Sequence, residues 1–160
     1  MNKKLLQYTI LALLISAQSV AFPVVVKDGD SLESGERRIR LDGIDAPEFT
    51  QICQDSSGND YNCGFQSFQY LENLVDGKEI NCQCLPDKDR YHREICECFS
   101  GSVSLNKAMV SAGWAVTYRD KTYIDEENKA KENKLGIWQG KHMRPAIYRA
   151  LNNPHSKSKP

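Results

Sequence analysis

Apolar and polar residues alternate over several short stretches of the chain, and these stretches are predicted to be β-strands. The stretch Val24–Lys27 is rich in valine, and Arg37–Leu41 alternates as a half-buried strand does. Two further stretches, Glu79–Leu85 and Glu94–Phe99, flank a polar turn at residues 86–91 and are expected to form a hairpin.

Helices are predicted in three other regions. Apolar residues recur at helical spacing over Phe65–Leu74 and Leu105–Val110, and a charged helix is expected over Asp125–Leu135 before Gly136. The polar segment 50–63 is predicted to be a loop, and residues 114–118 a short strand or an extended connection. Short strands with interspersed helices indicate an α+β domain around a small barrel.

The first residues of the chain have the composition of a secretory signal peptide. Two lysines lie within residues 1–4, an apolar run covers Leu5–Ile15, and Ser19-Val20-Ala21 offers small residues to a signal peptidase. The apolar run is shorter than the roughly 20 residues that a membrane span needs. We therefore predict a cleaved signal peptide at residues 1–21, export to the periplasm or the medium, and a product without a membrane anchor.

The net charge of the chain argues against one class of function, the non-specific coating of nucleic acid. The 160 residues carry 21 basic and 21 acidic side chains, and without residues 1–21 the remaining 139 have a net charge of −2. Proteins that coat nucleic acid non-specifically are usually basic, so any affinity for nucleic acid must come from a local site. We expect a monomer with one domain at 22–151 and a flexible polar tail at 152–160.

The six cysteines predict three disulfides. In an antiparallel hairpin, opposed residues have a constant index sum, and one register satisfies both Cys82–Cys98 and Cys84–Cys96. The remaining pair, Cys53–Cys63, would close the predicted loop before the first helix. A four-cysteine zinc site is the alternative, but the C-x-C spacing and an oxidising compartment favour disulfides.

Acidic residues cluster in two adjacent elements that also carry an arginine. Asp28 and Asp30 lie in a turn, and Arg40, Asp45 and Glu48 follow at the end of the next strand. Two carboxylates and a backbone carbonyl form the all-oxygen ligand set that hard divalent cations prefer, and a guanidinium beside them matches phosphate. Asp and Gly are also common turn residues, so the cluster alone has a purely structural interpretation.

The order of the motifs resembles the staphylococcal nuclease (thermonuclease) family. The resemblance covers about residues 24–138. It rests on five motifs in order: Val26–Ser31; Ile39–Glu48; Asp89–Arg93; Leu105–Val110 with Gly113–Ala115; and Ala130–Trp138. Five motifs with consistent gaps are far more specific than any one of them. The resemblance implies an OB-fold, a five-stranded β-barrel with about three α-helices.

The resemblance also implies a Ca²⁺ site and a water-positioning carboxylate. Asp30 and Asp45 match the calcium carboxylates, and Ala46 contributes a backbone carbonyl at a position where the family often has threonine. Glu48 matches the carboxylate next to the attacking water, as general base or as positioning group. His92 is found where the family usually has glycine, and we interpret it as a solvated turn residue.

Substrate contacts are implied by the same comparison. Arg40 and Arg93 match the two arginines that hold the scissile phosphate. Arg90 and Tyr91 match positions that touch a neighbouring phosphate and the nucleotide, and Tyr118 is a candidate stacking ring.

The leading hypothesis is an exported, Ca²⁺-dependent endonuclease that hydrolyses DNA and RNA and leaves 3′-phosphate ends. The alternative is a non-catalytic OB-fold module that binds nucleic acid or protein. A third class is a disulfide-stabilised structural or inhibitory exported protein. All five matching carboxylate and arginine positions are occupied, which favours catalysis.

Overall fold

The computed structural model describes residues 23–119 and 121–152. The predicted signal peptide at 1–21 therefore lies outside the described residues, as do residues 153–160 of the expected tail. In the described part of the chain, no helix combines the length and the apolar character that a membrane span requires.

The described residues form ten strands, four α-helices and one short 3₁₀ helix. The strands are β1 (Val24–Asp28), β2 (Ser31–Ser34), β3 (Arg37–Leu41), β4 (Ile44–Asp45), β5 (Ile52–Gln54), β6 (Asp60–Asn62), β7 (Ile80–Lys88), β8 (Glu94–Ser100), β9 (Val103–Ser104) and β10 (Val116–Thr117). The α-helices are α1 (Cys63–Val75), α2 (Leu105–Ser111), α3 (Ile124–Glu132) and α4 (Pro145–Asn152), and Gly136–Gln139 is the 3₁₀ helix.

The main sheet contains six strands: five follow the order β1-β2-β3-β8-β7, and the short β9 pairs with β8 beside this path. Neighbouring strands are antiparallel except β3 and β8, which are parallel, with Arg40 opposite Ile95. The sheet curls into the partial barrel of an OB-fold, so the predicted α+β architecture is confirmed. There are four helices rather than about three, because α4 follows the last predicted element.

Strand alternation sets the two faces of the sheet. On β3, Ile39 and Leu41 are buried in the core, whereas Arg40 between them points the other way. Apolar residues of α1 and α2 cover the core face, among them Leu71, Leu105, Met109 and Val110, all fully buried. The pattern that makes this core therefore also presents Arg40 on the opposite face.

The prediction that residues 50–63 form a loop was wrong in part. Residues 52–62 form a two-stranded sheet in which Ile52 pairs with Asn62 and Cys53 with Tyr61. The Asp55 carboxylate closes the turn by accepting hydrogen bonds from the backbone N–H groups of Ser57 and Asn59. A polar composition concealed this hairpin, because its stability comes from turn hydrogen bonds and a disulfide rather than from apolar alternation.

The disulfides join the pairs that the register predicts. Cys82 lies opposite Cys98 and Cys84 opposite Cys96 in the β7–β8 ladder, and each pair is bonded, with Cα atoms 4.0 Å apart. The third bond joins Cys53 to Cys63, with a Cα–Cα distance of 5.6 Å. All six cysteines lie in the described part of the chain and are disulfide-bonded, so they offer no thiolate to the alternative zinc site.

Candidate active site

A partly buried arginine lies between two buried carboxylates at the end of β3. Arg40 Nη1 is 2.7 Å from Asp30 Oδ1, and its Nη2 donates to Asp45 Oδ1 at 3.1 Å and to the backbone carbonyl of Ile44. The side chains of Asp30 and Asp45 are only 5% and 1% exposed. Charged groups as deeply buried as these need partners, and here each carboxylate has one in the same guanidinium.

Backbone pairing holds the two carboxylates in place. Asp45 lies on β4, which pairs with β10, and the Tyr118 N–H extends this contact by donating to the Gly43 carbonyl at 2.8 Å. Asp30 follows a tight turn in which its own N–H donates to Asp28 Oδ1 at 3.0 Å. The Ala46 N–H donates to Asp30 Oδ2 at 3.1 Å, so the two acidic segments are joined directly.

Close packing explains the glycine in that turn. A Cβ at Gly29 would lie 2.0 Å from Ser67 Oγ and 2.7 Å from the Ala46 Cβ. Ser67 lies on α1, and its hydroxyl donates to the carbonyl of Trp114. Any larger residue at 29 would therefore push the acidic turn away from the helix beneath it.

The acidic turn carries a carboxyl group with an unusual pKa. Burial and the neighbouring charge of Asp30 raise the pKa of Asp28 to about 7. Burial also raises the pKa of Asp45, against the opposing effect of Arg149, while Asp30 adds to the rise. Negative charge is thus costly here, and additional positive charge would be bound favourably.

These residues fit an oxygen-preferring divalent cation. The carboxylates of Asp30 and Asp45 lie within the span of one guanidinium, and Ala46, whose carbonyl is the third candidate ligand, lines the same cleft. All three donors are oxygens, as Ca²⁺ prefers. Among the described residues, the one group of His, Cys, Asp and Glu atoms spaced for a metal is Cys84, Glu94 and Cys96, and its two sulfurs are disulfide-bonded.

Glu48 lies at the edge of the cleft. Its side chain is 38% exposed, and Oε1 accepts a hydrogen bond from Arg149 Nη1 at 2.8 Å. Its backbone carbonyl accepts from the Gln51 N–H at 2.7 Å, and a Cβ at Gly64 would lie 1.7 Å from that same oxygen. The backbone of Glu48 is therefore fixed against the start of α1, while its carboxylate remains accessible to water.

Arg93 enters the cleft from the turn between β7 and β8. The Asp89 carboxylate accepts from the backbone N–H groups of Tyr91 and Arg93 and from Arg93 Nε at 2.8 Å. The Arg93 guanidinium also lies 5.4 Å from the ring of Tyr91, and that of Arg90 lies 4.8 Å from the same ring. Among these, His92 has φ = 62°, which explains why glycine suits its position.

All nine predicted site residues meet at one cleft of about 670 Å³. Its lining includes Asp30, Arg40, Ala46, Glu48, Arg90, Tyr91, Arg93 and Tyr118, and the Asp45 carboxylate lies directly beneath, bonded to Arg40. Tyr118 forms one wall, with its ring 5.9 Å from the Arg40 guanidinium and 5.2 Å from that of Arg119.

Arg149 lines the cleft but is not among the residues that the sequence predicted for the site. Arg149 on α4 donates to both oxygens of Asp45, at 2.9 and 3.0 Å, as well as to Glu48. The available signal was a proline at the first helical position followed by Ile147 and Leu151 four residues apart, which together indicate a short helix. No local pattern indicates that its arginine contacts residues 101 and 104 positions earlier in the chain.

Comparison with known proteins gives a family match. Residues 38–140 match the family model described as staphylococcal nuclease homologue. This range includes Arg40, Asp45, Glu48 and Arg93, whereas Asp30 precedes it and Arg149 follows it.

Several curated proteins are similar over most of the described domain. The succinoglycan biosynthesis protein ExoI of Rhizobium meliloti is 32% identical over 129 residues, which cover 78% of this chain and 67% of that protein. The probable endonuclease LCL3 of Komagataella phaffii is 27% identical, over 71% of this chain and 54% of its own length. The probable endonuclease lcl3 of Sclerotinia sclerotiorum is 26% identical, over 71% and 47%. The chain thus spans about half the length of the two endonuclease-named relatives.

Proposed function

The chain belongs to the staphylococcal nuclease homologue family, and from that premise we propose that it is an exported, Ca²⁺-dependent endonuclease acting on DNA and RNA. A nuclease-like function follows from the family and from the endonuclease-named relatives. The observation that carries the finer proposal is the meeting of Arg40, Asp30, Asp45, Glu48 and Arg93 at one cleft.

Asp30, Asp45 and the Ala46 carbonyl would hold the cation. When bound, Ca²⁺ supplies positive charge that stabilises the extra negative charge of the transition state. The charge of the cation would also offset the negative charge of the two carboxylates. Burial makes that negative charge unfavourable at Asp45, whose pKa it raises. This explains how a mature chain with net charge −2 can bind a polyanion: the positive charge is local rather than spread over the surface.

Arg40 and Arg93 are proposed to bind the scissile phosphate. Their guanidinium groups donate to its non-bridging oxygens and stabilise the charge that grows there as water attacks. Glu48 accepts a hydrogen bond from the attacking water and takes its proton. The new bond joins the water oxygen to phosphorus, and the bond from phosphorus to the 5′-oxygen breaks. The 5′-oxygen leaves as an alkoxide that takes a proton from solvent water, Glu48 returns its proton to solvent, and the phosphate remains on the 3′-oxygen.

We assign the nucleotide contacts to two tyrosines of the cleft, Tyr91 and Tyr118, and to the arginines beside them. Tyr91 lies against Arg90 and Arg93, and Tyr118 lies against Arg40, so both rings border the phosphate-binding groups. Stacking on aromatic rings is tolerant of base identity, which suits a nuclease without strict sequence preference. The three disulfides support export to an oxidising compartment, since such bonds rarely persist in the cytosol.

The test is digestion of DNA and RNA by purified protein, with Ca²⁺ and with a chelator. We expect that both substrates are cleaved and that cleavage requires the cation. The DNA products should carry 3′-phosphates, so a polymerase should extend them only after phosphatase treatment. Glu48→Gln should reduce turnover by about 10²-fold or more. Arg37→Ala is the matched control for Arg40→Ala, because Arg37 lies on the same strand but pairs with Glu94 outside the cleft.

Binding without cleavage would reject the proposal. If the protein retards labelled DNA in a gel but leaves it intact with Ca²⁺ present, the non-catalytic OB-fold module is the better description. Cleavage that persists in excess chelator would reject the cation dependence alone. The location of the protein is tested by fractionating cells and comparing the mass of the exported product with that expected for cleavage after Ala21.

A further inference from the structure

Helix α4 lies outside the family-matched segment, yet it contributes a charged side chain to the cleft. The matched residues end at 140, and α4 spans Pro145–Asn152. Arg149, in the last turn of α4, donates from Nη1 to Glu48 Oε1 at 2.8 Å and from Nη2 to both oxygens of Asp45 at 2.9 and 3.0 Å. One guanidinium therefore joins the proposed water-positioning carboxylate to a proposed metal ligand.

The approach to α4 is fastened to the segment that carries Glu48. The side-chain amide of Gln51, which is fully buried, donates to the carbonyl of Met143 at 2.7 Å, and its oxygen accepts from the Glu48 N–H at 3.3 Å. Three residues later, the Gln54 N–H donates to the carbonyl of Lys141 at 2.8 Å. These hydrogen bonds attach the segment before α4 to the segment that carries Glu48. They therefore hold α4 where Arg149 can reach the cleft.

We propose that Arg149 is a positioning residue for Glu48 in the phosphodiester hydrolysis, an inference that rests on the proposed function. Among the described residues, Arg149 is the side chain that donates to the Glu48 carboxylate. A glutamate with 38% of its side chain exposed would otherwise sample several rotamers. The ion pair through Oε1 holds the carboxylate in one orientation at the cleft, which Glu48 lines, and Asp45 accepts hydrogen bonds from the same guanidinium.

This role makes two predictions, which together separate it from a merely structural role. Without Arg149, the Glu48 carboxylate loses its orientation, so turnover falls. The same change removes a competing positive charge from Asp45, so the affinity of the cleft for a divalent cation stays equal or increases. A residue with a merely structural role would lower both quantities together with the stability of the fold.

The experiment compares Arg149→Ala and Arg149→Lys in the full chain, each in the wild-type and in the Glu48→Gln background. We expect Arg149→Ala to lower kcat by about 10-fold to 100-fold, with KM for DNA changing far less. Arg149→Lys should recover part of the loss, since an ammonium still donates to Glu48. In the Glu48→Gln background, Arg149→Ala should lower single-turnover rates no further, because the two residues act as one unit.

The matched control is Arg144→Ala, which removes an arginine immediately before the same helix and outside the cleft. Arg144 lies 3.8 Å from Glu127 and 52% of its side chain is exposed. Its loss should leave kcat unchanged. Calorimetric titration with Ca²⁺ alone supplies the second readout, and thermal unfolding shows that each variant is folded.

Three results would overturn the inference. Turnover of Arg149→Ala equal to or above the wild type would mean that α4 only covers the cleft. An equal loss in both backgrounds would mean that Arg149 acts independently of Glu48, for instance on the phosphate. Weaker Ca²⁺ binding by Arg149→Ala would place its role at the cation site. A wild-type chain that does not cleave would instead remove the proposed function, and this role with it.

Discussion

Two regions that meet at the cleft are held together by different physical means. The floor, formed by Asp30, Arg40 and Asp45, consists of two buried carboxylates that are paired with one partly buried guanidinium. The β7–β8 hairpin is held by two disulfides, although β7 is exposed over most of its length and Leu85 is 54% exposed. The first region concentrates polar groups where burial is costly, and in the second the strand β7 buries few of its side chains in the core.

From this difference we infer that the floor serves activity and that the disulfides of the hairpin serve stability. Buried charges contribute little net stability, because desolvation offsets their attraction, so they are retained where chemistry needs them. Disulfides stabilise by restricting the unfolded chain and take no part in the reaction. The hairpin needs this restriction because its turn carries Arg93 into the cleft. Changes on the floor should therefore affect activity, and changes in the hairpin should affect stability.

The largest expected effect is on the floor. Asp45→Asn removes a proposed cation ligand and leaves Arg40 and Arg149 without their shared carboxylate, so turnover should fall by about 10²-fold to 10³-fold. The fold should persist, because burial raises the pKa of Asp45 and an uncharged amide avoids that cost. Turnover is measured on DNA with Ca²⁺, with the exposed Asp60→Asn as the control that removes the same charge elsewhere.

The next effect is on the hairpin. Replacing Cys82 and Cys98 together by alanine should lower the free energy of unfolding by about 2–4 kcal/mol, measured by urea denaturation. Activity at 25 °C should change less than about 2-fold, because the β7–β8 ladder keeps its register through backbone hydrogen bonds. The same pair of measurements on the Cys84 and Cys96 double variant serves as a replicate nearer the turn. A large loss of activity without a loss of stability would contradict the separation of roles.

A smaller effect concerns pH and Asp28. Its pKa is about 7 in the folded protein, compared with 3.8 ordinarily, so folding favours the protonated form. Its contribution to stability is thus present below about pH 4 and is lost as the pH rises to about 7. Measured in chelator, wild type should become less stable relative to Asp28→Asn over this window, by about 1–2 kcal/mol after allowance for partial exposure. If the difference in unfolding free energy between the two proteins stayed constant across pH 4–8, ionisation of Asp28 would not destabilise the fold, which would contradict this prediction.

The smallest effect lies at the turn of the β7–β8 hairpin, next to Arg93. His92 has φ = 62°, a conformation that costs a non-glycine residue about 1 kcal/mol, so His92→Gly should stabilise the protein by up to that amount. Activity should be unchanged, because the Asp89 carboxylate still holds the turn and Arg93. A marked change in turnover would instead assign His92 a contact with substrate.

Much of the candidate site could be predicted because its residues are close in sequence. Arg40, Asp45 and Glu48 lie within nine positions, and the symmetric spacing of Cys82, Cys84, Cys96 and Cys98 specifies one hairpin register. Local rules failed for β5 and β6, whose polar residues depend on a disulfide. They also failed for the end of α3, which stops at Glu132 instead of Leu135 as expected.

From the sequence alone we predicted the candidate site residues, the strand alternation that separates Arg40 from the core, and the pairs of cysteines. These depend on periodicity and on short spacings, which are properties of neighbouring residues. The folded structure was needed to show that β3 pairs in parallel with β8, that the Ala46 N–H donates to Asp30, and that Arg149 contacts Asp45 and Glu48. Such contacts join residues far apart in the chain, and their formation depends on how the whole core packs rather than on any local pattern.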